Sequence, residues 1–289
     1  MNAPLLSSRL RRATRMAGVL ALLTLLTLPS LGQVLTARDA RQDSEPTPQW
    51  TNPVGFEKDV FTFVRIRYAS MGRTRHPYGR GRRWATDFPD ADLNLSYRLQ
   101  QMTSLKVDPA GRVIELTDPE LFRFPFIYIA EPGDLEFTEE EVLNLRRYLL
   151  NGGFLMVDDF WGDYEYQNFY EQIKRVFPDR EPFDIPRDHA LFHCVFDIPA
   201  DLNLQLPNVR DGTNSQWTGV TWEGGEDGRE CHIRGIADDK QRLMVVICHN
   251  TDNGDGWERE GENEYYFREF SEKRAYPLGI NIVVYAMTH

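Results

Sequence analysis

Two adjacent carboxylates, Asp158 and Asp159, close the apolar run Phe154-Leu-Met-Val157. If that run is an interior strand, its end lies where open α/β sheets gather ligands. Paired carboxylates there can hold a hard cation or divide the roles of acid and base, with His189 and His193 as partners. Asp158, His189 and His193 are the candidate metal ligands. The plainer alternative has one Asp cap the next helix while the other faces water. Trp84, Asp87 and Asn94 follow an earlier strand-like segment and would emerge on the same edge, a set suited to a small polar ligand or a sugar ring. Equally, Trp84 would anchor a loop and Asp87 would cap a helix.

Other spacings carry less. Cys231-His232 and Cys248-His249 have metal-ligand chemistry, but neighbours on a strand point to opposite faces, so each pair cannot easily reach one zinc ion. If Ala237 and Arg242 close a hairpin, Cys231 falls opposite Cys248, which leaves either a cross-strand disulfide or two buried thiols. Asn253, Asp255, Gly256 and Glu262 fall at calcium-loop offsets, yet Thr251 and Arg259 occupy the first and ninth positions, and an ordinary polar turn is expected. The run Arg73 to Arg83 gathers positive charge, which reads as a solvated loop or a grip for an acidic partner or lipid head groups. There is no Gly-x-Ser-x-Gly elbow for a serine nucleophile.

The elements that would position these residues are readable. Phe61-Thr-Phe-Val-Arg-Ile-Arg-Tyr68 alternates apolar residues with Arg65 and Arg67, as a first strand with one wet face would. A helix is expected from about Ala91 to Ser104, then a short edge strand at Arg112–Leu116. Pro125–Ala130 is a buried strand. Thr138 with Glu141 makes a capping box, and Asn151-Gly152-Gly153 ends the helix before the strand Phe154–Val157. Strand, helix, strand in so short a span is a βαβ crossover and implies a parallel sheet covered on both faces. A helix at Tyr164–Val176, an irregular insertion at 183–228 carrying short strands, a strand pair at Cys231–Cys248 and an apolar helix at Leu278–Met287 complete the pattern.

Composition sets the setting. With 41% hydrophobic residues the chain can bury a large core. Arg9, Arg11, Arg12 and Arg15 precede the apolar stretch Met16–Leu28, Pro29 and the small residues Ser30 and Gly32, the pattern of a secretory signal. Residues 1–32 are therefore read as a signal peptide, 33–54 as a flexible linker and 55–289 as a single α/β domain. Cleavage after Gly32 is expected over retention as an anchor, because the apolar stretch is short for a bilayer. The whole chain carries −11, and loss of that arginine-rich segment makes the remainder more acidic still, which excludes nucleic acid as a partner.

Phe63–Tyr68, Trp84 with Asp87 and Asn94, Pro125–Ala130, Leu145–Asp159, His189–Phe192 and Gly279–Tyr285 together resemble the bacterial domain of unknown function 4159 family. That family is itself similar in outline to class I glutamine amidotransferases. The resemblance implies a flavodoxin-like, mostly parallel sheet with helices on both faces, and no assigned activity. In the amidotransferase-like relatives a cysteine nucleophile follows the strand corresponding to Phe154–Val157; here Asp158-Asp159-Phe160-Trp161-Gly162 stands instead, so glutaminase chemistry is not expected. His189-Ala190 also replaces a frequent His-Pro.

The function expected is a non-catalytic module of the bacterial cell envelope, in the periplasm or on the periplasmic face of the inner membrane. It would bind a small polar ligand or an envelope protein near Trp84, Asp87, Asn94, Asp158, Asp159 and His189. No cofactor is expected unless a divalent metal sits there. Membrane attachment would come only through an uncleaved signal. Two alternatives stand: a hydrolase of an envelope sugar or amide using Asp158 or Asp159 with His189, with or without a divalent metal, and a structural subunit of a membrane complex.

Overall fold

Alternation along the apolar runs sorts side chains onto the two faces of one sheet. In β3 (Phe126–Ala130) and β4 (Phe154–Asp158), Phe126, Tyr128, Ala130, Phe154 and Met156 pack into one core, and Ile127, Ile129, Leu155 and Val157 into the other. This computed structural model describes residues 36–56, 59–70 and 83–289. The expected signal peptide and nearly all of the arginine-rich loop, up to Arg82, lie outside the described residues.

Among the described residues the sheet has seven strands, ordered β2-β1-β3-β4-β7-β6-β5. β1 (Val64–Ile66), β2 (Arg112–Ile114), β3, β4 and β7 (Leu243–His249) are parallel; β6 (His232–Ala237) runs antiparallel to β7, and β5 (Phe183–Asp184) antiparallel to β6. β2 takes the outer edge, as its short, mixed sequence suggests.

Helix α1 (Asp90–Met102) contributes Ala91, Leu95 and Leu99 to the first face, beside Leu278, Ile280, Ile282 and Val283 of the C-terminal helix α7 (Tyr276–Thr288), which follows the short helix α6 (Glu264–Tyr266). The second face is covered by α2 (Glu139–Leu150) with Val142, Leu145 and Leu149, and by α3 (Gly162–Val176) with Phe169, Ile173 and Val176. The capping box forms as the sequence dictates: Glu141 N–H donates to Thr138 Oγ1 at 3.2 Å and Thr138 N–H to Glu141 Oε2 at 2.8 Å. Among the described residues, no helix is long and apolar enough to cross a membrane.

Several expectations change. Arg67 is solvated, but Arg65 is fully buried, because the sheet is covered on both sides and Arg65 meets Asp92 of α1 at hydrogen-bonding distance. The insertion carries a short strand, β5, as expected, and also a helix that was not, α4 (Val209–Thr218). The Thr251–Glu258 stretch is neither a calcium loop nor a simple turn. Its Asp252 caps a buried helix, α5 (Asn253–Glu258), and Glu262 is held outside by Arg259.

The Cys231–Cys248 disulfide is not formed. Ala237 pairs with Leu243 rather than Arg242, and an irregularity between Ile236 and Ala237 moves the register again, so Ile233 and not Cys231 lies opposite Cys248. Cys194, Cys231 and Cys248 are free thiols.

The stretch expected as a linker lies along the domain where it is described. Ala37 N–H donates to Ala110 O at 2.9 Å, Trp50 Nε1–H to Val107 O at 2.9 Å, and the Asp90 carboxylate accepts from Asp43 N–H at 3.0 Å. The described residues form one compact unit.

Candidate carboxylate centre at the sheet edge

Parallel strands deliver their following loops to one edge, and here that edge collects acids. β1 leads to Asp87, β3 to Glu131, β4 to Asp158 and Asp159, and β7 to Asp252, Asp255 and Glu258. The chain reverses its winding direction between β1 and β3, so this is also the topological switch point. Asp87, Glu131, Asp159 and Asn250 all adopt left-handed backbone conformations (φ 60, 45, 59 and 58°). Such conformations cost of order 1 kcal/mol or more for a non-glycine residue, and they cluster where a loop must aim its side chain.

Arg65 sets the floor of the site. It is fully buried under the Tyr128 ring, 4.9 Å from the centroid, and donates from Nη1 to Trp84 O at 3.0 Å and Thr86 O at 2.8 Å. Those two bonds fix the turn that carries Asp87. Asp92 takes up the guanidinium charge through Nε at 3.0 Å, so Arg65 is already committed.

Asp158 and Asp159 part company. Asp158 is fully buried and saturated: it accepts from Asn253 Nδ2 at 2.8 Å, Gly254 N–H at 3.0 Å and Tyr128 O–H at 3.1 Å. Burial pushes its carboxyl up to about 7 against those stabilising bonds. Asp159 accepts from Trp161 Nε1–H at 3.3 Å and keeps a small exposed edge. Neither caps α3. Gly162 N–H goes to Asn250 Oδ1 at 2.8 Å and Trp161 N–H to Glu165 Oε2 at 3.0 Å.

One carboxylate oxygen from each of Asp87, Asp159 and Asp252 lies within 4.8 Å of the others, and the same holds for Asp87, Asp255 and Glu258. All five residues are buried. Burial, reinforced by the neighbouring carboxylates, drives Asp87, Asp159 and Asp252 well above the usual carboxylate range. Burial likewise raises Glu258 to about 8 and Glu223, alongside, to about 7. Arg259 offsets part of this, with Nε 2.9 Å from Glu258 and 3.3 Å from Asp255.

Above the centre opens a cleft of about 400 Å³, with Arg83, Glu131, Asp159, Trp161, Tyr164 and Glu223 in its wall. Arg83 bridges Glu131 at 2.9 Å and Glu165 at 2.6 Å. Asp159 belongs to both cleft and centre. A cavity of about 470 Å³ opens at the opposite edge around Phe122, Arg147 and Gly153, with no carboxylate in its wall.

The structure thus brings Asp87, Asp158 and Asp159 together and leaves the other expected residues elsewhere. Trp84 packs on Phe88 with ring centroids 5.8 Å apart. Asn94 is a strut, donating to Trp257 O at 2.9 Å. His189 accepts from Leu191 N–H at 3.1 Å and lies against Tyr285, whose ring meets Phe154 at the start of β4. About 13 Å of strand separates that end from Asp158, so the expected carboxylate–histidine partnership has no geometry behind it. His193 is tied to Asp197 at 2.6 Å and Arg187 O at 2.8 Å.

Sequence reasoning missed Asp252, Glu258, Glu223 and Trp161 as site residues. Asp252 carried a usable signal: it lies in the loop directly after the apolar strand β7, as Asp159 does after β4.

Fold and site together define an α/β domain with a buried carboxylate centre at the edge of a mostly parallel sheet. The chain belongs to the family described as domain of unknown function (DUF4159), whose model matches residues 62–287. No curated protein matches it.

Proposed function

We propose that this chain is an exported, non-catalytic binding module of the cell envelope, and that its recognition site is the cleft over the ends of β1, β3 and β4. The observation that carries this reading is the cleft's composition: loops from three adjacent parallel strands supply an aromatic wall and opposed charges within one concave space of about 400 Å³. Export rests on the signal-like pattern of the first 32 residues. The strand order β2-β1-β3-β4-β7 supports a flavodoxin-like lineage, with β6 and β5 as an antiparallel extension.

Even with Asp159 and Glu223 held partly or largely protonated by burial, Glu131, Glu165 and Asp227 outnumber Arg83 around the cleft, so an amine-bearing polar ligand suits it better than an anion. Tyr164, 54% exposed at the rim, and Trp161 offer faces on which a sugar ring stacks. A hydrolase built on Asp158 and His189 is less well supported, since Asp158 is saturated with donors and His189 sits by the other edge.

The test is isothermal titration of the full chain with amino sugars, N-acetylated sugars and short amine-bearing peptides. We expect at least one to bind with an affinity that falls about tenfold or more, roughly 1.4 kcal/mol, in Trp161→Ala and in Glu223→Gln. Absence of binding across the panel, or binding indifferent to both substitutions, would overturn the reading.

A further inference from the structure

The carboxylate centre beneath the cleft poses a separate physical problem. Three acids, Asp87, Asp159 and Asp252, each about 95% buried, converge to within 4.8 Å. Among the described residues no arginine, lysine or histidine forms an ion pair with any of the three: Arg65 is spent on Asp92, Arg83 on Glu131 and Glu165, and Arg259 on Asp255, Glu258 and Glu262. Buried acids of one sign with no cationic partner either stay protonated or bind a metal, which would stabilise the ionised form of all three.

A second observation is independent of the clustering. Asp87 Oδ2 is buried and has no hydrogen-bond partner, although Gly254 of α5 lies alongside it and gives its N–H to Asp158 instead. The space around that oxygen is kept by Gly254: a Cβ there would stand 2.1 Å from Asp87 Oδ2. A buried, unpartnered oxygen on an acid that converges with two other carboxylates, with a glycine leaving room beside it, is built for a ligand that accepts lone pairs.

We infer that Asp87, Asp159 and Asp252 form a binding site for one hard divalent cation of the Mg²⁺, Mn²⁺ or Ca²⁺ class. The donors are all carboxylate oxygens, with neither thiolate nor imidazole among them, which selects against softer metals. Asp255 and Glu258 are kept out of the primary set by Arg259, which already neutralises them. Because Asp159 also lines the cleft, it gives the cation its route in and places the ion at the cleft floor. The inference does not depend on what occupies the cleft.

The test uses the full chain stripped with a chelator and dialysed to equilibrium against Mn²⁺ alone. The expected result is about one Mn²⁺ per chain, displaced by Mg²⁺ or Ca²⁺. Asp87→Asn and Asp252→Asn should each weaken binding about tenfold or more, while the exposed Asp163→Asn leaves it unchanged. Circular dichroism of each variant separates lost binding from lost fold. Should a variant fail to fold, the wild-type stoichiometry still decides: no Mn²⁺ retained at millimolar concentration overturns the site, and so does undiminished binding in folded Asp87→Asn and Asp252→Asn proteins.

Discussion

Burial gives His249 a pH dependence of its own. It lies at the end of β7, its Nε2–H donates to Gly162 O at 3.1 Å, and its ring packs against the stacked pair Phe160 and Tyr166 at 5.0 and 4.8 Å. Burial holds its pKa down at about 4, helped by the nearby charge of Arg234 and against the Gly162 hydrogen bond. In the unfolded chain the imidazole titrates near 6.5. Between those values the unfolded state binds more protons, so the contribution is complete above about pH 6.5 and is lost as pH falls towards 4. That loss is at most about 3 kcal/mol. Urea denaturation at steps from pH 7 to 4 should show His249→Phe losing less stability than wild type over this window; identical pH profiles would contradict the assignment. Arg65 teaches the converse about reading residues. Its alternation with Val64 and Ile66 is that of a solvated position, and only the chain's return as α1, bringing Asp92, buries it. Such a partner, 27 positions away, has no local signature.

Elements with a local physical cause were legible, and those defined by distant partners were not. The capping box of α2, the glycines that end it, the buried strands β3 and β4 and the apolar helix α7 all follow from spacing that nearby residues satisfy. α5 was hidden because Asn253-Gly-Asp-Gly is a turn composition; it holds as a helix because Asp252 accepts from Asp255 N–H at 2.7 Å and Trp257 is fully buried. The insertion is held in a similar way. Asn281, fully buried on α7, accepts from Val195 N–H at 3.1 Å and Phe196 N–H at 2.8 Å and donates to Phe196 O at 2.9 Å. Asn281→Leu keeps an apolar helix face but strands three backbone groups, each costing about 1 to 3 kcal/mol if left unpaired. We expect a stability loss of about 3 kcal/mol or more by urea denaturation, with faster amide exchange around Val195 and Phe196. A loss under about 1 kcal/mol would show that the clamp is not a clamp.

At the scale of the molecule, the site is a product of topology. A mostly parallel sheet sends the loops after β1, β3, β4 and β7 to one edge, so acids that are scattered in the chain become neighbours. Asp158 and Asp159 could be read from sequence as acids at a strand end. Their different fates could not, since Asp158 is saturated by α5, an element 95 residues further on, and Asp159 is left facing Asp87 and Asp252. The histidines failed as partners for the same reason: His189 is close in composition to a site residue but packs at the strands' other ends. The cation centre can be tested most directly by anomalous diffraction from crystals of the full chain grown with Mn²⁺. A single strong peak roughly 2.0–2.6 Å from carboxylate oxygens of Asp87, Asp159 and Asp252 is the expected result; a map with no peak there, or with a protein cation inserted among the three acids, would contradict it.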